Sequence, residues 1–543
     1  MSKPKTFRPW NPEQTLLLPP SPVEWLPANH LVFFLLDLAA ELDLSAIYAV
    51  YEAKDPRGVK AYEPRMMVLL LLYAYCVGIP SSRRIERACW EDAAFRVLTG
   101  NQQPDHSRIS DFRLVHLDAL AGLFVQVLRL CQKADLVSLG NVALDDTKVK
   151  ANASKHKAMS HERMIKTEAQ LEAEIAALLR KAELIDAQED ARYGIGRRGD
   201  ELPKELQLRQ DRLDALRKAK AELEAEAAAD HARRREQQAC AAEEQFAEAA
   251  AQAAAAEAAP ATEDDENTTK AETEAEDAAQ AHAKAAQQAE RRARSARGRA
   301  ELARKLVIDK AQAAGLSTPD PLSSVDPVAM PSRNLPTTAT GVPKGNAQRN
   351  HRYAEGCAYT DPDSHILKGG DGWIQGYNCQ AAVDGDHQII VAVGVSNQAS
   401  DAPHLEPMLE RIMASTGQLP EKLIADAGYC RTDNIEASEK RGLDAYYSTS
   451  RQAHGKRPRP SRGPAPRDLD ARGRMDRKIR SKAGQAINAL RKIIVEPVFG
   501  QIKGARGLDR FLLRGLKRAS AEWALMAITH NIGKMHRAAL AAA

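Results

Sequence analysis

What most constrains this chain is a tract from about residue 160 to 315 written almost entirely in Ala, Glu, Gln, Lys and Arg. Ala supplies 32 of the 80 residues from 221 to 300, and residues 241–280 carry 12 acidic side chains against one Lys. Such sequence has too little apolar bulk to build a globular core. Any core must be assembled from the segments on either side, so the fold is split by a long insertion. Leu206, Leu213, Leu216 and Leu223 fall on heptad-like positions. Tyr193-Gly194-Ile195-Gly196 through Pro203 marks a reversal. The tract is therefore expected either to form a helical hairpin or coiled coil, serving as a spacer or for self-association, or to be a poorly ordered insertion with no specific task.

Before the tract, apolar residues recur at three and four in MMVLLLLYAY, RRIERACWEDAAFRVL and LDALAGLFVQVLRLCQKA, which predicts helices up to about residue 137. Gly78-Ile79-Pro80-Ser81-Ser82 separates two of them, with Ser81 or Ser82 as cap, and Ser107 is placed to open another. His106, Arg108, Ser110 and Arg113 would then lie near the start of a third helix, where a recognition helix reads DNA; a plain helical bundle fits the same periodicity. Residues 138–150 switch to a strand pattern. After the tract, GYNCQAAVDGDHQIIVAVGVSN reads as a β-hairpin turning at Asp384-Gly385-Asp386. A helix from about Ala402 to Thr416, the strand KLIADAG, a helix near Thr432 to Arg441 and a terminal helical region follow. This succession predicts a mixed α/β layer arrangement.

The net charge of +4 hides an asymmetry. From Arg451 to Ala543 there are 22 Lys and Arg against 6 Asp and Glu, so this last part of the chain carries +16. A block of that sign and density suits a phosphate backbone, since each neutralised phosphate releases counterions. The seven cysteines are scattered without CxxC spacing, which argues against a zinc finger or a disulfide framework and for a reducing cytoplasm. MSKPKTFRPWNPEQ lacks a signal-peptide core and the longest apolar run, Met66 to Ile79, is short for a bilayer, so no membrane association is expected. Without GxxxxGK[ST], HExxH or GxSxG there is no sign of ATP use, zinc proteolysis or a serine nucleophile.

Three acids remain. Asp145, in NVALDDTKVKANAS, and Asp426, in KLIADAGYCRTDN, each close a short apolar run where a strand would end, and Glu496, in RKIIVEPVFGQIKG, lies in a helical pattern among cations. Individually, either aspartate serves equally as a turn former and the glutamate as half of a surface ion pair. Two strand-borne carboxylates and one helix-borne carboxylate can also hold two divalent ions roughly 4 Å apart for phosphate chemistry. Lys148 and Lys150 alternate with the strand period and would point with Asp146. Lys492, Glu496 and Lys503 would share a helix face, although Pro497 predicts a kink or helix start at Glu496. Asp361-Pro362-Asp363-Ser364 reads as a turn.

These segments resemble a known family. SSRRIERACWEDAAFRVLTG and PDHSRISDFR resemble the InsH-type N-terminal domain of bacterial insertion-sequence transposases. DDTKVKANASKHKAM, TDPDSHILKGGDGWIQGYNCQAAVD, ADAGYCRTDNIE and VEPVFGQIKGARGLDRFLLRGL are similar, in that order, to blocks of their DDE catalytic domain. The resemblance implies an α+β fold: a ribonuclease-H-like mixed β-sheet core with flanking helices, a helical N-terminal domain and the helical insertion after the first core strand. It implies Asp145, Asp426 and Glu496 as the triad holding two Mg²⁺ or Mn²⁺ ions. The expected partners are double-stranded DNA, both element ends and target, and further copies of the chain in a cytoplasmic, nucleoid-associated homo-oligomer. Expected DNA contacts are Lys148, Lys492, Lys503, Arg510, Arg514, Arg108 and Arg113. The implied division is a DNA-binding domain at 1–137, the first core strand at 138–159, the insertion and linker at 160–350, the rest of the core at 351–450, an Arg/Pro-rich linker at 451–474 and basic helices at 475–543. A non-catalytic DNA-binding protein of transposase descent is the alternative. Two positions depart from the family pattern. Asp146 replaces the usual Gly, so either acid of the pair could ligate, with Asp145 favoured by the motif. The signature Tyr-x2-Arg-x3-Glu-x6-Lys is kept only in its second half, with Ala489 and Lys492 at the Tyr and Arg positions.

Overall fold

The computed structural model describes residues 22–52, 61–154, 158–193, 204–257, 268–315, 330, 337–344, 348–350, 361–369, 372–450 and 469–542. The N-terminal part is helical: α1 (Leu31–Glu41), α2 (Ser45–Glu52), α3 (Pro64–Cys76), α4 (Ser82–Glu91), α5 (Ala93–Leu98), α6 (His106–Val115) and α7 (Leu117–Lys133). Glu63 caps α3 by accepting from the Met66 amide, and Pro64 supplies a preset first-turn φ. Nearly every side chain of α3 is buried, as expected of a helix apolar all round. The cap of α6 differs from expectation. Asp105, not Ser107, accepts from the Ser107 and Arg108 amides, because an Asp just ahead of the helix offers a charged acceptor.

Next come β1 (Asn141–Lys150) and the short β2 (Ala158–Ser160), then three long helices, α8 (His161–Tyr193), α9 (Lys204–Glu257) and α10 (Thr268–Ala313). β3 (Gln348–Asn350) pairs with β2 and closes the base of this excursion. The tract is thus helical. Leu213, Leu216 and Leu223 of α9 bury against Met164, Leu171 and Ile175 of α8. Between α9 and α10 the packed side chains are small: Ala228 and Ala232 meet Ala303 and Val307, and Ala239 meets Ala296 and Ala300. The expected reversal at 194–203, the side chain of Leu206 and Cys357 lie outside the described residues.

The core resumes with β4 (His365–Gly369), β5 (Gly372–Asp384), β6 (Ile390–Ser396), α11 (Leu405–Thr416), β7 (Lys422–Ala425), α12 (Thr432–Lys440) and β8 (Asp444–Tyr447). It ends with α13 (Ala471–Arg480), α14 (Lys482–Ile494), α15 (Glu496–Phe499), a π-helical turn over Gly500–Ala505 and α16 (Leu516–Ala542). The expected linker at 451–474 therefore ends early. Asp470 caps α13 by accepting from the Gly473 amide, so 471–474 already belong to a helix, while 451–468 are outside the described residues.

The sheet is mixed. β5 and β6 form the expected antiparallel hairpin, β5 pairs antiparallel with β1 (Asp145 opposite Ala381) and with β4, and β7 and β8 continue from β1 in parallel. One apolar cluster joins this sheet to α16 and the N-terminal helices, with Trp523, Tyr75, Phe95 and Tyr377 fully buried. The two parts meet closely at Gly78, whose φ of +74° ends α3 and whose missing side chain leaves room for the Arg506 carbonyl; a Cβ there would lie 2.3 Å from that oxygen. No single helix among the described residues is long and apolar enough to cross a membrane.

Candidate functional site: acids at a cation-lined cleft

Strand alternation sends Asp145 and Asp146 to opposite faces of β1. Asp145, with Thr147, faces the terminal helices. It is buried and accepts a hydrogen bond from Nη1 of Arg491 on α14, whose Nη2 lies 3.8 Å from Glu496 Oε1. Arg491 thus stands between two members of the expected triad. Lys492, the residue expected to accompany Glu496, is exposed. Its neighbour takes that place because the helix breaks at Val495 and restarts at Glu496 ahead of Pro497, which resets the faces. After α15 the π turn carries Lys503 back to β1, where its ammonium donates to Thr147 Oγ1 (3.1 Å) and the Lys148 carbonyl (3.0 Å).

Asp146 and Lys148 point the other way. Lys148 Nζ is 2.8 Å from Asp146 and 3.4 Å from Asp401, a residue between β6 and α11 that belongs to none of the expected motifs. Asp401 is fixed from β5: Asn378 Nδ2 donates to it at 2.7 Å and Gln380 Nε2 at 3.3 Å, and Gln380 is itself held by the Tyr429 hydroxyl. Asp426 follows β7 directly and accepts from the Gly428 amide at 2.7 Å, an Asx-type turn. A Cβ on Gly428 would lie 2.9 Å from an oxygen of each of Asp401 and Asp426, so the glycine is the gap through which these carboxylates approach. An Asp in the polar turn after β6 is the only sequence trace of Asp401, and it is indistinguishable there from an ordinary turn former.

Asp146, Asp401 and Asp426 line a cleft of about 1240 Å³, together with Lys148, Lys150, Lys368, Lys503, Arg510 and Arg514. The last two ride on a loop that is tied down at several points. The Lys150 amide donates to the Asp509 carbonyl (3.0 Å) and the Phe511 amide to the Lys150 carbonyl (2.8 Å), which extends the edge of β1. Buried Glu522 of α16 accepts from the Leu512 and Leu513 amides, and Asp361 and Asp363 accept from those of Gly515 and Leu516. The Asp361-Pro362-Asp363-Ser364 turn therefore anchors this loop.

Of the expected DNA contacts, Lys148, Lys503, Arg510 and Arg514 share the cleft. Arg108 is exposed on α6 away from the cleft lining. Arg113 is a correction: it is buried, because it lies on the inward face of α6, donating to the Tyr75 hydroxyl of α3 (3.1 Å) and the Pro80 carbonyl in the turn before α4 (2.9 Å).

Burial pushes the Asp145 carboxyl up to about 7, with Arg491 opposing and Asp146 and Asp426 adding to the rise. Burial, then Asp401, pushes Asp146 up to about 6 against the pull of Lys148. Lys148 is held above its usual range, since Asp146 and Asp401 outweigh its own desolvation. These are hard oxygen donors, buried and crowded by one another, which is the environment that a Mg²⁺ or Mn²⁺ ion relieves. The residues fit such ions in chemistry. In position, no three His, Cys, Asp or Glu side chains among the described residues are gathered closely enough to hold one as they stand.

Carboxylates are thus collected on and just after adjacent strands of a mixed α+β sheet, at a cleft that they line together with six cations. Residues 346–532 match the Transposase DDE domain and residues 21–114 match the Transposase domain (DUF772), and together they place the chain among the insertion-sequence DDE transposases. No curated protein and no solved structure matches it.

Proposed function

We propose that the protein cleaves the ends of its own insertion element with water and joins the freed 3′ hydroxyls to target DNA, both by in-line phosphoryl transfer. The observation that carries this reading is the placement of Asp145, Asp146 and Asp426 on or just after neighbouring strands, the latter two in a cleft whose other lining residues include six cations. The mixed sheet supports a ribonuclease-H-like core. Asp145, Asp426 and Glu496 are the proposed ligands of two Mg²⁺ or Mn²⁺ ions, which would supply activation of the attacking oxygen and stabilisation of the leaving one. The chain's own cations do the positioning: Lys148, Lys503, Arg510 and Arg514 would hold phosphates along the cleft, Lys492 would extend that track beyond it, and Arg108 would contact DNA from the helical region at 1–137. Catalytic segments at 138–159, 351–450 and 475–543 would act as one unit around the insertion at 160–350, in a cytoplasmic, nucleoid-associated homo-oligomer joined through coiled-coil packing.

One observation favours the second reading, a non-catalytic DNA-binding protein of transposase descent: Arg491 occupies the space between Asp145 and Glu496, and Glu496 is half exposed. The two are separated by the substitutions Asp145→Asn, Asp426→Asn and Glu496→Gln. Under the first reading each lowers metal-dependent strand cleavage by about 10³-fold or more while DNA binding stays within a few-fold of the parent. Under the second, neither the parent nor any variant cleaves.

A further inference from the structure

We infer that the base half of the helical insertion is a second DNA-binding surface, taking the phosphate backbone of duplex DNA where it leaves the cleft; this rests on DNA being the partner proposed above. On α10, Ala293, Ala296, Ala300, Ala303 and Val307 are buried. The solvent side carries Arg291, Arg292, Arg294, Arg299 and Lys305, all exposed. Other cations of the same helix are spent within the hairpin: Arg297 pairs with Glu236 (2.5 Å) and Glu243 (2.6 Å), and Arg304 with Glu236 (3.0 Å). Arg294 also has a partner, Glu290 at 3.1 Å, but its side chain is 83% exposed, and a pair that open to water holds it weakly. Between the outer cations the surface is low. Ser295 and Gly298 are exposed, and a Cβ built on Gly298 meets nothing within 4 Å, so a phosphate strand can approach the helix backbone there.

Location supports the assignment. Asn152, Ala153 and Ser154 line the cleft, and the insertion begins just after them. At its base Glu224 of α9 binds Lys310 (2.7 Å) and His161 at the start of α8 (3.5 Å). From Lys310, the stripe begins about 8 Å along the helix and ends about 29 Å along it, at 1.5 Å per residue. Duplex DNA passing the rim would meet it over roughly six base pairs at 3.4 Å each. In the sequence, residues 241–280 carry 12 acids against one Lys, a composition opposite to that of the stripe and unsuited to a phosphate backbone. The stretch of α10 from 291 to 313 is thus net cationic, with eight Lys and Arg against Glu301 and Asp309.

The test uses the full chain without divalent metal and a duplex carrying the DNA that flanks its gene, with binding measured between about 50 and 200 mM NaCl. Replacing Arg291, Arg292, Arg294, Arg299 and Lys305 together by Gln, a comparable helix former, is expected to flatten log K against log[salt] by about 0.9 for each phosphate no longer neutralised, at least about 2 in all. Arg292→Gln and Arg299→Gln singly should each remove about 0.9, and exchanging the four arginines for Lys should leave the slope intact. Unchanged slopes in the Gln variants would overturn the inference. So would an unchanged slope accompanied by a smaller sedimenting species, which would assign the stripe to the acidic residues 241–280 of a second copy. Failure of the parent chain to bind DNA at all would overturn the DNA reading itself, a separate outcome.

Discussion

At the level of single residues, the charge state of the acids sets the chemistry of the cleft. The folded protein holds Asp145 up to about 7 and Asp146 up to about 6, against a usual carboxylate value near 3.9. A carboxyl raised by folding contributes stability that is present below its unfolded pKa and lost as pH rises through its folded pKa. Without metal, the melting temperature should therefore fall as pH goes from about 4 to about 7. Mn²⁺ should reverse the loss increasingly over the same window, because ligands bind it deprotonated. Asp145→Asn should flatten the metal-free profile; a profile already flat in the parent protein would contradict the account, and thermal melts across pH read it directly. The resemblance in motif order singles out Asp145, Asp426 and Glu496 in the sequence, and of the expected cations Lys148, Lys503, Arg510 and Arg514 come together in one cleft. Arg491 and Asp401 are not singled out there. Their roles come from where a helix restarts and where a loop after β6 lands, and neither is encoded by local pattern.

At the level of elements, β1, β5, β6 and β7 follow from alternation and turn chemistry, and the hairpin at Asp384-Gly385-Asp386 forms as the sequence predicts, whereas the pairing of β1 with β5 and β7 is set by the tertiary fold. The helices near Glu496 are less transparent. Pro497 signals a restart, but the π turn from Gly500 to Ala505, which swings Lys503 onto β1, depends on packing of Val498 and Ile502 into the core. The loop carrying Arg510 and Arg514 likewise depends on one residue of α16 whose role no motif announces. Glu522 is fully buried and accepts from the Tyr75 hydroxyl as well as from the Leu512 and Leu513 amides, and burial pushes its carboxyl up despite these donors. Glu522→Ala would strand three donors at the junction of α3, α16 and the loop. A destabilisation of about 3 kcal/mol or more is expected in urea unfolding, and a value under about 1 kcal/mol would contradict this role.

At the level of the whole molecule, one core spans the N-terminal helices and the sheet, while the insertion has its own small clusters of Leu and Ala. The split was evident from composition alone. The shared core was not, since amphipathic periodicity says which face is buried and not against what. Tyr75, Trp523 and Phe95 join regions that the sequence divides. Two unfolding steps should follow. Ellipticity at 222 nm, nearly half of which comes from α8, α9 and α10, should show a first transition of the insertion. Tryptophan fluorescence should miss it, because residues 161–313 contain no Trp and buried Trp523 reports on the core. Coincident transitions by both probes would instead make the insertion part of the main cooperative unit.

Raised carboxyls, an anchored cationic loop and a shared core would together serve one end, the cutting of DNA by the acids at the cleft. The direct measurement is incubation of the protein with Mg²⁺ or Mn²⁺ and the DNA flanking its own gene, with every cleavage position mapped. Breaks at discrete positions at the element ends, leaving 3′ hydroxyls, absent with EDTA and lost in Asp145→Asn, Asp426→Asn and Glu496→Gln, are predicted. Cleavage that survives in all three variants, or binding of those ends with no metal-dependent break, would contradict it.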